Sequence, residues 1–287
     1  MRWLLRGAVA TAAVAAGLAI TLRGVAGHEL LRAVAEARLS FVAAYSLPLL
    51  ALGSALRTAR YGALLPVFAR PRSSELWAII ILSAAANNVL PLKAGEVLRT
   101  KDTVAAGVSL PRVVTAQLAE KVVEIATLVV CVAPVLVTHV GFGGPAPVTS
   151  GFLCLGAVGA GWAARHFGVR VRQLVRSFAW SIASDAVEIA VIAVCLGGLG
   201  LPAGLLPSVT VFTGVNLAIA VPLTPANVGA FEAGAALPLI ALGVGHDSAV
   251  AFAFIYRAVQ WLPVTLAGAL VWARRMVVSR PERARAV

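Results

Sequence analysis

Between Asn87 and Glu124 an apolar run breaks at Asn87-Asn88-Val89-Leu90-Pro91 and then carries Lys93, Glu96, Arg99, Glu120, Lys121 and Glu124. Carboxylates and bases at this density could hold a charged group through charge-assisted hydrogen bonds, or carry protons. The surrounding sequence is apolar enough for a membrane, where each ionised side chain at depth costs about 3 kcal/mol unless it is paired or faces a polar cavity. The default reading of the stretch is therefore a functional site.

The pattern returns 136 positions later. Glu96 then lies on Glu232, Gly107-Val108 on Gly243-Val244, and Lys121 on Arg257, with a proline break upstream in both copies, Pro91 in one and Pro222 and Pro225 in the other. Weak internal symmetry of this kind marks transporter folds. Two further acids, Asp185 and Glu188, share a helical stripe with Ser181 and Ser184.

Composition decides the class. The 287 residues are 60% hydrophobic and 13% charged, with a mean hydropathy of +0.91, far from a soluble average of roughly a quarter charged residues. The expected fold is an all-α polytopic membrane protein. Its net charge of +12 is carried in short segments between apolar runs, so anionic lipid headgroups rather than nucleic acid explain it. Cys131, Cys154 and Cys195 lie in separate apolar runs and read as free thiols, and the four histidines are scattered. No metal-ligand set, cofactor loop or catalytic constellation is expected.

The elements follow from apolar length. Full spans are expected at 1–22, 39–56, 111–137, 151–164, 178–199 and 249–271, six in all, with a cleavable leader as the rival reading of the first. The run 76–90 gives about 22 Å of helix against a hydrocarbon core of about 30 Å. It and 94–107 then form a broken, re-entrant hairpin; 208–220 and 230–242 form a second, with Pro91, Pro222, Pro225 and Gly229 as the breaks. Arg57, Arg60, Arg70 and Arg72 read as a cytoplasmic loop, and so do Arg165 to Arg176 and the arginines after 273. That assignment puts both termini in the cytoplasm of a cell membrane and gives the repeats inverted topology. The chain divides into an N-terminal span and surface segment (1–38), a first repeat (39–137), a linking span and basic loop (138–176), a second repeat (177–273) and a basic tail (274–287).

Half-helix N-termini near Ala94 and Asn227 would aim N–H groups at an anion such as a phosphate, with Lys121 and Arg257 adding to it. Glu96, Glu120, Glu124, Asp185, Glu188 and Glu232 outnumber the buried bases, and would position them, receive a cationic headgroup or carry protons. The plainer alternative is that Glu120 with Lys121, or Glu232 with Arg257, are structural ion pairs. Asn87, Asn88 and Asn227 read as caps of the broken helices, with Asn88 also a substrate contact.

The residues Asn88-Val89-Leu90-Pro91, Gly95-Glu96 with Arg99, and Glu120-Lys121 with Glu124 form one signature; Pro222-Leu223-Thr224-Pro225 through Gly229-Ala230-Phe231-Glu232, with Tyr256-Arg257, forms another. Together they resemble the flippase-like membrane domain of lysylphosphatidylglycerol synthases, which also occurs alone and in archaeal dolichyl-phosphate glycosyltransferases. The similarity covers roughly 39–271. It implies movement of a lipid with a polar headgroup, with Glu96, Arg99, Glu120, Glu232 and Arg257 as site residues. Lys121 and Glu124 depart from the more usual Arg and Asp, and Ala226 from Gly; a lysine at an arginine position loses bidentate phosphate binding. The soluble aminoacyl-transferase domain of those synthases is not among these residues, so synthesis of a lysyl lipid is not expected.

The expected function is lipid translocation, for phospholipids or polyprenyl-phosphate-linked headgroups, with anionic or aminoacylated membrane lipids as partners. Two alternatives stand beside it: a scaffold presenting a lipid-linked substrate to a partner lipid-modifying transferase, and an ion-coupled carrier of small solutes.

Overall fold

Backbone in hydrocarbon must satisfy its own hydrogen bonds, and a chain this apolar does so with helices. The computed structural model describes Arg32 and residues 34–90, 93–140, 169–220 and 227–284. The expected spans at 1–22 and 151–164, and the breaks Pro91, Pro222 and Pro225, lie outside the described residues. The protein is an all-α polytopic membrane protein, with no strand among the described residues.

In the first half, α1 (Leu39–Leu64), a 3-10 turn (Val67–Ala69), α2 (Ser73–Val89), α3 (Ala94–Ala105) and α4 (Leu110–Val140) follow in order. The second half repeats that succession of long, short, short and long as α5 (Val171–Gly198), α6 (Leu205–Ala220), α7 (Ala230–Ala241) and α8 (His246–Ala284). Helices α3 and α7 each hold 12 residues and start and stop 136 positions apart, at 94 and 230 and at 105 and 241. Each is followed by a glycine at positive φ, Gly107 at 96° and Gly243 at 86°, a backbone turn that an L side chain resists.

α1, α5 and α8 are long and apolar enough to cross a membrane. α4 is as long, at 31 residues, but Glu120, Lys121 and Glu124 interrupt its apolar character. The short helices are different. With 17 and 12 residues, α2 and α3 run about 25 Å and about 18 Å, and neither alone crosses a core of about 30 Å.

Lipid tails are as apolar as leucine, so helices in a bilayer associate through close packing of small residues rather than through hydrophobic burial alone. In the first hairpin a Cβ on Gly95 would lie 2.0 Å from the Ser83 carbonyl oxygen, so α3 approaches α2 backbone to backbone. Gly214 and Gly234 do the same between α6 and α7: a Cβ on Gly214 would lie 2.4 Å from the Gly234 carbonyl oxygen.

The helices that correspond in the two halves also pack in corresponding ways. α1 lies against α5, α2 against α8, and α6 against α4. The Arg38 N–H donates to the Gly198 carbonyl at 2.8 Å, and the Gln173 amide donates to the Leu65 carbonyl at 3.4 Å. The start of α1 therefore meets the end of α5 and the reverse, so these two equivalent helices run antiparallel. One core gathers Val191, Ile192, Leu196, Phe212, Leu239, Phe252 and Tyr256 from the second half. Another gathers Tyr61, Leu64, Leu65, Leu76, Val113 and Leu174.

One boundary differs from the sequence reading in a way that matters. The first described span does not stop at Leu56 before a basic loop; α1 continues to Leu64 and carries Arg57 and Arg60 with it. Arg60 is buried, at 7% exposure, because carboxylates on a neighbouring helix receive it.

Candidate functional site

The described residues on either side of the two breaks line one cavity. A cavity of about 520 Å³ is lined by Asn87, Leu90 and Lys93 at the tip of the α2–α3 hairpin and by Ile219, Ala220 and Asn227 at the tip of the α6–α7 hairpin. α1, α4 and α5 close its sides. The wall carries four bases, Arg57, Arg60, Lys93 and Lys121, and four acids, Glu96, Glu124, Asp185 and Glu188, with the amides of Asn87, Asn216 and Asn227.

Most of these charges are joined. Glu96 pairs with Arg99 at 2.6 Å, one helical turn along α3, and Arg99 reaches Glu120 of α4 at 2.8 Å. Arg60 of α1 meets Glu120 at 3.0 Å and Glu124 at 2.5 Å, and Lys121 closes the series on Glu124 at 2.7 Å. The result is a string of alternating sign, Glu96–Arg99–Glu120–Arg60–Glu124–Lys121, that ties three helices together. Its centre is dry, with the Glu120 side chain 1% exposed, and its ends face the cavity. The Arg99 guanidinium also lies 4.7 Å from the Tyr61 ring centroid, a cation–π contact that replaces lost hydration. Across the cavity Arg57 bonds Glu188 at 2.7 Å.

Two lining charges stand outside these pairs. Lys93 and Asp185 make no ion pair with a described residue. Lys93 is also held at φ 53°, a left-handed conformation costly for a residue with a Cβ. Its counterpart in the second half is Gly229, at φ 83°. Strain of this kind persists where surroundings impose it, and it gathers at functional sites.

The sequence-predicted residues divide into three groups. Glu96, Lys121, Glu124, Asp185 and Glu188 line the cavity. Arg99 and Glu120 stand behind it and hold the lining residues in position. Glu232 and Arg257 are not among the lining residues: they pair with each other at 3.1 Å, with Arg257 5.3 Å from the Phe231 ring centroid. Glu232 also accepts the Gly229 N–H at 2.7 Å, capping its own helix. The ion pair considered for these two residues is thus present, whereas Glu120 pairs with arginines rather than with Lys121.

The asparagines also separate. Asn87, not Asn88, caps α3, its side-chain oxygen accepting the Gly95 N–H at 2.8 Å. This engages one of the N–H groups expected to face an anion. Asn88 instead donates to the Thr265 hydroxyl at 3.0 Å, while the Trp261 indole donates to the Asn88 carbonyl at 3.2 Å, clamping the hairpin tip to α8. Asn227 lines the cavity in a left-handed turn at φ 54°, three residues before α7 begins.

Arg57 and Arg60, read from the sequence as part of a cytoplasmic loop, line the cavity, and so does Lys93, which the sequence marked for its charge but did not assign to substrate. The signal for the arginines was the surplus of carboxylates over buried bases, which required additional cations nearby.

No curated protein matches the chain. The model of the lysylphosphatidylglycerol synthase TM region matches in two overlapping segments, residues 3–169 and 163–268. With that match running through nearly the whole of a helical chain, the protein belongs to the lysylphosphatidylglycerol synthase TM region family.

Proposed function

We propose that the chain is a lipid translocator in which a polar headgroup passes through the cavity between the two hairpin tips. The observation that carries this reading is the charge balance of the wall: four bases and four acids, of which Lys93 and Asp185 are left without an ion pair to a described residue. A headgroup phosphate pairs with Lys93 and the neighbouring amides, and a headgroup ammonium pairs with Asp185. The string from Glu96 to Lys121 keeps the remaining wall charges fixed, so they need no reorganisation when the headgroup enters. Antiparallel packing of the equivalent helices α1 and α5 suits alternating access, in which the halves exchange roles about the site.

The protein sits in the cell membrane with both ends of the chain in the cytoplasm, an orientation supported by the arginine-rich segments at 70–72, 170–176 and 274–285. Burial and the neighbouring charge of Arg176 lower the pKa of Arg70.

Purified protein in liposomes, assayed for movement of labelled anionic, zwitterionic and aminoacylated lipids, tests the reading. Movement of at least one class above protein-free vesicles supports it. Tight binding without movement favours presentation of a lipid-linked substrate to a partner transferase instead.

A further inference from the structure

A headgroup in a charged cavity leaves its hydrocarbon chains behind in the bilayer, so a route for lipid needs an apolar slot joined to the polar chamber. One adjoins the cavity. A crevice of about 40 Å³ lies between α1, α2, α5 and α8, lined by the apolar side chains of Leu49, Leu50, Ile80, Ile81, Val187 and Val264. Three residues line both spaces: Arg57, Ser184 and Glu188. The Arg57–Glu188 ion pair is therefore the partition between them.

The two sides of this partition are unequally held. Glu188 also accepts from the Tyr256 hydroxyl at 3.3 Å, and that hydroxyl accepts from Gln260 at 3.1 Å; Tyr256 itself is fully buried. Arg57 is 43% exposed along its side chain against 18% for Glu188. The carboxylate is the fixed post and the arginine the movable arm, and an ion pair with a half-exposed partner opens at small cost. Ser54 also lines the crevice, and its hydroxyl accepts from the indole of the partly exposed Trp77 at 3.2 Å. While closed, the crevice is small beside the cavity of about 520 Å³.

We propose that Arg57 and Glu188 form a gate between the headgroup cavity and this apolar crevice, and that the crevice takes the acyl chain of the lipid whose headgroup occupies the cavity. The proposal rests on the translocator reading for its choice of ligand. When the arm swings from Glu188, the polar chamber and the apolar slot become continuous, and one lipid occupies both.

The test uses phosphatidylglycerol and phosphatidylethanolamine carrying a diazirine in one acyl chain, photolysed with the full-length protein in liposomes and mapped by mass spectrometry. Wild type is compared with Arg57→Gln, which removes the charge from the arm, and Gly53→Leu, which fills the slot. A Cβ at Gly53, which lines the crevice, meets Val187 Cγ1 at 3.6 Å, an ordinary side-chain contact, so the first carbon of the added side chain meets no backbone. Labelling at residues 49–54 and 80–84 is expected to rise at least threefold in Arg57→Gln and to fall at least threefold in Gly53→Leu. Equal labelling of wild type and Arg57→Gln overturns the proposal, whether or not Gly53→Leu folds. Lipid movement in the same vesicles separates the two readings. Movement by wild type without the labelling pattern removes the gate and leaves the translocator. The labelling pattern without movement keeps the crevice as an acyl site and removes the translocator.

Discussion

Arg60 of α1 and Glu120 of α4 meet at 3.0 Å with both side chains withdrawn from solvent, 9% and 1% exposed. Neither residue gains much from the pair compared with water, because two charges have been desolvated to form it. What the pair does is fix position: Arg60 also grips Glu124, Glu120 also holds Arg99, and the wall of the cavity is pinned from behind.

Breaking that string in its dry middle is expected to be costly. Arg60→Met leaves buried Glu120 with Arg99 alone and Glu124 with Lys121 alone, and should destabilise the protein by about 3 kcal/mol. Lys121→Met, at the half-exposed end, should cost less than about 1 kcal/mol. Thermal unfolding in detergent separates the two; equal losses would mean that the string is not organised around Arg60.

Lys93 should show opposite effects on stability and transport. Lys93→Gly relieves a left-handed φ of 53°, worth about 1 kcal/mol, and so should leave the melting temperature level or raised. It also removes a cavity cation without a described ion-pair partner, and lipid movement should fall at least tenfold. A variant that is both less stable and fully active would contradict the role given to this residue.

The half-helices were legible in the sequence because their signals are local. Proline breaks and a fixed spacing of 136 marked 94 and 230, where α3 and α7 begin. Glu96, Asp185 and Glu188 were legible because a charge in an apolar run stands out. Arg57 and Arg60 were not, since arginines after an apolar run look the same in a cytoplasmic loop as in the last turns of a helix. Only the fold brings Glu120, Glu124 and Glu188 to them. Lys93 was noted for its charge, but nothing about a lysine reveals a positive φ. Glu232 and Arg257 matched the first repeat by spacing, yet the side chains at those positions turn to capping and pairing.

The first hairpin should depend on the space between α2 and α3 more than on its cap. Asn87→Ala removes the acceptor for the Gly95 N–H and is expected to cost about 1 kcal/mol. Gly95→Ala places a methyl 2.0 Å from the Ser83 carbonyl oxygen and 2.6 Å from the Asn87 side-chain oxygen, forcing the helices apart. Unfolding temperatures should rank wild type, Asn87→Ala, then Gly95→Ala; the reverse order for the two variants would show that the backbones are not in contact.

Glu232 and Arg257 should behave as structure rather than as site. Arg257→Met leaves Glu232 buried at 2% exposure and is expected to destabilise by about 3 kcal/mol. Whatever protein remains folded should keep the lipid preference of wild type. A changed preference, measured over the lipid panel on folded protein, would place the pair at the headgroup.

The most direct measurement compares wild type, Asp185→Asn and Lys93→Gln for movement of anionic and aminoacylated lipids in the same liposomes. Headgroup passage between Lys93 and Asp185 predicts that Asp185→Asn loses the ammonium-bearing lipid at least tenfold while retaining the anionic one, and that Lys93→Gln loses both. Unchanged rates for both lipids in both variants, with wild type active, would show that the headgroup does not pass through this cavity.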